Sequence, residues 1–195
     1  MLLVACAKIE PPPGAPPDAV PPQLISSYPD TLAVFPGFKG DVVFRFDEVI
    51  AEGSLSQGAG TSEIERLIVL SPTTRPPAVR WRRDRITVHP REGWLPNRVY
   101  RVELLPGATD LRNNRSTSAA SVVTFTTGAP VPTHTSTGVA WDWVGNRAAA
   151  GALIEAIHQP DSLDYRMIAD SSGRFRLGPL PQGEYLVSAA ADQNR

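Results

Sequence analysis

The chain has 195 residues, a formal net charge of -1 and a pI near 6.3. That balance provides no overall field to draw it to nucleic acid or to an acidic surface. Its one cysteine excludes an internal disulfide and the cysteine-rich kind of zinc site. Twenty prolines are spread unevenly, which divides the chain.

The opening "MLLVACAKIE" holds the single cysteine, Cys6. From the residues alone Cys6 is open to three readings: core, reactive thiol or attachment point. The next stretch, "EPPPGAPPDAVPP" over Glu10–Pro22, has proline at 11, 12, 13, 16, 17, 21 and 22. Each proline lacks an N–H, so neither a helix nor a sheet ladder is expected here. An extended spacer of polyproline type is expected, rising roughly 3.1 Å per residue. Such a neighbour argues against burial of Cys6, and no adjacent base or second cysteine supports redox chemistry.

Short alternating runs begin at Gln23. "DVVFRFDEVI" sets Val42, Phe44 and Phe46 on one face against Val43, Arg45 and Asp47. "EGSLSQGAGTS" over Glu52–Ser62 is polar and glycine-rich and reads as a loop. "SEIE" fits a helix capping box, but Leu67–Leu70 is continuous and β-rich and Pro72 ends it, so one helical turn leading into a strand is expected. "AVRWRRDRITVHP" reads as two strands about Arg83–Asp84, with Val79 and Trp81 on one side. Arg-Asp is not a favoured hairpin turn, so the register there is open. "NRVYRVELLPG" alternates Tyr100, Val102 and Leu104 against Val99, Arg101 and Glu103, and "SVVTFTTG" puts Val123 and Phe125 on one face. This spacing predicts an antiparallel sandwich.

"TGAPVPTHTSTG" marks a second break, with a linker expected over 129–136. "GVAWDWVGN" reads as a strand and a turn at Gly145–Asn146. "AGALIEAIHQ" fits helix or strand by period alone: its alanines favour helix, while Leu153, Glu155 and Ile157 alternate with Ile154 and Ala156. Phe175 and Leu177 form a short strand, then Tyr185, Val187 and Ala189 another, with "DSSG" and "PLPQG" as turns. The expected fold class is all-β: two antiparallel β-sandwich domains in tandem after a Pro-rich disordered N-terminal spacer.

Chemistry-bearing patterns are sparse. His89, His134 and His158 are scattered with no partner at ligand spacing, so no metal site is expected. Nucleophile-elbow, phosphate-loop and dinucleotide motifs are missing, and neither a catalytic residue nor a cofactor is expected. "RWRRDR" over Arg80–Arg85 reads as a solvated hairpin face in preference to a nucleic-acid surface. "DQNR" at Asp192 begins like an oxygen-ligand calcium loop but is incomplete, and Asn114-Arg115-Ser116 fits a glycosylation sequon. Trp141 and Trp143 lie two apart in the expected strand and so face one side. Exposed, they and Trp81 would offer stacking surfaces for a sugar; buried, they are core, the favoured reading on aromatic payload.

Three stretches carry resemblances. Leu3-Val4-Ala5-Cys6 resembles the lipobox of bacterial lipoproteins, whose cysteine is lipidated after cleavage. This implies lipidation of Cys6, a membrane partner reached through that lipid, and a place in the bacterial cell envelope. Only Met1 and Leu2 precede the motif, so an apolar leader is expected upstream. Residues 23–128, above all "PNRVYRVELLPGATDLRNN", resemble the bacterial Ig-like module first described in S-layer proteins. Residues 137–195, through "AGALIEAI" and "DSSGRFRLGPLPQGEYLVSAAAD", resemble the carboxypeptidase regulatory-like, transthyretin-like sandwich, and the match breaks off at Arg195 where such modules usually continue. Together they imply a non-catalytic envelope scaffold with a protein or glycan partner. The alternatives are a carbohydrate-binding module and an accessory region of a larger envelope enzyme.

Overall fold

The computed structural model describes residue 14, residues 18–51 and residues 63–191. Within them the chain is almost entirely antiparallel β structure arranged as two sandwiches. Most of the expected spacer, Cys6 and Asp192 lie outside these residues.

In the first sandwich one sheet contains β1 (Leu24–Tyr28), β2 (Val42–Phe46), β4 (Ala78–Arg82) and β5 (Arg85–His89), in the order β1-β2-β5-β4. The facing sheet contains β3 (Ile68–Ser71), β6 (Val99–Leu104) and β7 (Ser121–Thr126), in the order β3-β6-β7. The period-2 pattern explains the packing. Val42, Phe44, Phe46, Ile86 and Val88 come from one sheet, Tyr100, Val102, Val123 and Phe125 from the other, and all are buried in one cluster. Each such side chain contributes about 1.5–3 kcal/mol. At one end of this core Phe125 meets Phe38, Trp94 and Tyr100, with ring centroids 5.1–5.7 Å away.

Local details follow the residues. A single helical turn, α1 (Glu63–Arg66), feeds directly into β3 through a bond from the Leu67 amide to the Ile64 carbonyl. The hairpin between β4 and β5 turns on Arg83 and Asp84. Arg83 takes a φ of 55°, a left-handed conformation more usual for glycine or asparagine. Asp84 lies between the Arg45 and Arg85 guanidiniums at 3.0 and 3.4 Å, and the Arg45 hydrogen bond is the main cause of its carboxyl lying below the usual range.

In the second sandwich β11 (Leu153–His158) is the central strand between β12 (Asp164–Ile168) and β14 (Tyr185–Ala190). β8 (His134–Val139) pairs with β13 (Arg174–Leu180), and β9 (Trp141–Asp142) pairs with β10 (Arg147–Ala148). The stretch that period alone left open between helix and strand is therefore β11. Ile154, Ala156 and His158 point into the core, while Leu153, Glu155 and Ile157 are half-buried on the other side. The linker expected over 129–136 overlaps β8, because His134 and Ser136 already pair with Leu180 and Leu177. Gly173 supplies the expected turn with a φ of 74°, and a Cβ there would approach the Ala140 carbonyl to 2.8 Å.

The sandwiches meet along two strand edges. The Thr73 and Asp164 backbones exchange both hydrogen bonds at 3.0 Å, and the Arg166 amide donates to Ser71 Oγ at 3.1 Å. Beside that joint lies a groove of about 350 Å³ lined by Ile68, Leu70, Leu153 and Arg166. Tyr165, Met167 and Leu177 of the second sandwich also lie against Val99 and Arg101 on the outer face of β6. Val99 is therefore buried although the alternation places it opposite Tyr100, and Glu103 is buried with an ion pair to Arg101.

Candidate functional site

Trp81 sits on β4, half-buried against the first core, with its indole Nε1 enclosed and without a partner among the described residues. Trp141 and Trp143 depart from the core placement favoured by their sequence: they are 45% and 86% exposed, and Val144 is 99% exposed. The reason is local. β9 ends at Asp142, whose Oδ1 accepts hydrogen bonds from the amides of Val144 at 3.1 Å and Gly145 at 2.9 Å. That side-chain cap turns the chain outward before Trp143 can take a strand position. Asp142 also faces Arg147 across the hairpin at 3.6 Å. The Gly145 amide is the largest influence on the Asp142 carboxyl, and with the Val144 amide and Arg147 it holds that group below the usual carboxylate range. The product is a narrow, pinned turn carrying two neighbouring apolar side chains into solvent.

The histidines stand apart. His89 Nδ1 lies 3.0 Å from Asp41, and His134 is exposed at the start of β8. His158 is buried at the seam, stacked obliquely on Tyr185 with centroids 5.0 Å apart. Its Nδ1 is 2.7 Å from Asp161 Oδ1. A carboxylate only accepts, so Nδ1–H is the donor. Asp161 Oδ2 in turn meets Arg98 Nη2 of the first sandwich at 3.0 Å. This Arg98–Asp161–His158 chain ties the two units together, and its spacing in sequence gives no hint of it.

One carboxylate group escaped the sequence. Asp18, Glu48 and Asp110 bring oxygens within 4.8 Å of one another. Burial, then Asp110, Asp18 and Asp47, raise the Glu48 carboxyl above its ordinary value. Asp110 goes the other way: burial is opposed and outweighed by bonds from the Asn114 amide, the Asn114 side chain and the Arg112 amide. Both Asp110 oxygens are thus engaged within a tight loop. The same loop occupies the side-chain amide of Asn114, the sequon asparagine, which donates to Asp110 and to the Asp18 carbonyl.

The arginines of "RWRRDR" line the solvent side of their hairpin. Arg80, Arg82, Arg83 and Arg85 are exposed, and Arg85 pairs with Asp84. Among the described residues no helix is long and apolar enough to cross a membrane.

No curated protein matches the chain. The family model described as the bacterial Ig-like domain matches residues 18–127, which takes in all seven strands of the first sandwich together with Asp18 at its entry. Through that stretch, more than half of its length, the chain belongs to the bacterial Ig-like domain family.

Proposed function

We propose that this protein is a non-catalytic scaffold of the bacterial cell envelope, tethered by a lipid on Cys6 and holding two sandwiches as one unit at the end of a Pro-rich spacer. The observation that carries this reading is the joint. Strand-edge bonds between Thr73 and Asp164, the Ser71 link and the Arg98–Asp161–His158 chain fix the second sandwich on the first. A spacer or presenting module needs such a joint, because a loose one would let the far unit swing. Membership of the Ig-like family supports an extracytoplasmic location, and the lipobox residues Leu3-Val4-Ala5-Cys6 support the tether. One acyl chain binds a membrane only marginally, whereas two or more hold it stably.

The test uses a version of the chain carrying an export leader, expressed in bacteria with labelled palmitate. Label should enter the protein, and Cys6→Ala should abolish it. Incorporation that survives Cys6→Ala would overturn the tether.

A further inference from the structure

We propose that the Trp143–Val144 turn is a membrane-docking point, which places its indole and valine at the boundary between headgroups and acyl chains of a phospholipid bilayer. The proposal rests on the envelope reading above, and its test is separate from that of Cys6.

Exposure is the first argument. A valine 99% exposed beside a tryptophan 86% exposed forms an apolar point that no described residue covers. Rigidity is the second. Asp142 spends Oδ1 on the Val144 and Gly145 amides and faces Arg147 with Oδ2, so the turn is already shaped and little order is lost on docking. The third argument concerns chemistry. A sugar site needs polar side chains around its stacking ring, but the carboxylate nearest this indole is committed to the turn, and valine offers a sugar neither a flat face nor a hydrogen bond. The turn is also convex, the shape of something that enters a partner. Tryptophan favours the bilayer interface, where its ring is apolar and its N–H is wet. Arg147, 78% exposed at its side chain, stands beside it for lipid phosphate.

Direction is the fourth argument. From the Thr73–Asp164 bridge, β3 traced backward to Ile68 and β12 traced forward to Ile168 leave the seam on the same side, since the pairing is antiparallel. Leu153 and Arg166 still share a groove with Ile68. The Ile68 end of the first sandwich pairs with Leu104, which shares a pocket with Gln23 and Leu24, where the chain arrives from the spacer. The Ile168 end of the second leads through Ala169, Ala152, Ala149 and Ala140 to Trp141 and the turn. The spacer entry and the apolar turn therefore point to one side of the molecule. A lipid on Cys6 would bring that side to the bilayer.

The experiment takes the full chain, unlipidated, with vesicles of phosphatidylethanolamine and phosphatidylglycerol, and reads flotation and tryptophan emission. The chain should float with vesicles and its emission should shift to the blue. Trp143→Ser with Val144→Ser should weaken partitioning about tenfold or more while leaving the melting temperature unchanged, since neither side chain is packed. Trp143→Phe should retain most of the binding, and Arg147→Ser should weaken it about fivefold on anionic vesicles only. Failure of the unaltered chain to float, or equal flotation of the double variant, would overturn the proposal. So would Trp143-dependent capture by peptidoglycan or a protein without vesicle binding. Because the chain carries no lipid here, these outcomes are independent of whether Cys6 is acylated.

Discussion

Asp161→Ala is the substitution that most directly probes how the two sandwiches are held. It removes the acceptor of three donors: His158 Nδ1 at 2.7 Å, the Leu163 amide at 3.2 Å and Arg98 Nη2 at 3.0 Å. His158 is buried and its Nε2 has no partner among the described residues, so the imidazole would be left with no hydrogen bond to any of them. An unmet buried donor costs about 1–3 kcal/mol, and His158 and the Leu163 amide are two of them. The ion pair adds less. The Arg98 side chain is a third exposed and water can take over, which keeps its share below about 1 kcal/mol. The expected loss is about 2–6 kcal/mol, and for a chain of this size about 3 kcal/mol lowers the melting temperature by about 6–12 °C. Asp161→Asn keeps the oxygen that His158 and the Leu163 amide use and replaces the one that Arg98 meets with an amide NH2, so it should cost about 1 kcal/mol. Calorimetry separates the cases, and Asp161→Ala should also split the transition as the second sandwich melts on its own. A loss under about 0.5 kcal/mol, the scale of an inert surface change, would refute this account of the seam.

Two further expectations concern the interior. Phe125→Ala should destabilise the first sandwich by about 3–5 kcal/mol in urea denaturation, because it empties the centre of the cluster formed by Phe38, Trp94 and Tyr100. Tyr100 and Tyr185 are both pushed up to about 12, chiefly by burial. A folded value above the ordinary 10 means that the stability linked to each phenol is complete below pH 10 and is lost between about pH 10 and 12. Absorbance near 295 nm should therefore show these phenols ionising later in the native chain than in guanidinium.

The sandwich cores were legible in the sequence because a strand with one buried face writes its pattern every second residue. Val42, Phe44 and Phe46 carry that signal, as do Tyr100, Val102 and Leu104. The pattern was less informative for β11, where alanine packs as well in a strand as in a helix and only the neighbours β12 and β14 decide. Val99 reads as an outer face and is buried, because Tyr165, Met167 and Leu177 of the second sandwich lie against it, which no local period encodes. Trp143 misled for a different reason: large aromatics are usually core, but a single aspartate cap one residue earlier turned the chain outward. Asp18, Glu48 and Asp110, like Arg98, Asp161 and His158, meet only through tertiary structure.

The shared strand edge at Thr73 and Asp164 also bears on how this protein can change over time. Tandem sandwich units are often treated as beads that can be exchanged without regard to their neighbours. Here each bead completes the other. Ser71, Thr73 and Arg98 supply bonds that Asp161, Asp164 and Arg166 return. Replacing either unit by a distant relative would strip the remaining one of those partners and wet the Val99 side of β6. Inheritance of this pair is therefore constrained at the joint as well as within each core, and residues on opposite banks should drift together.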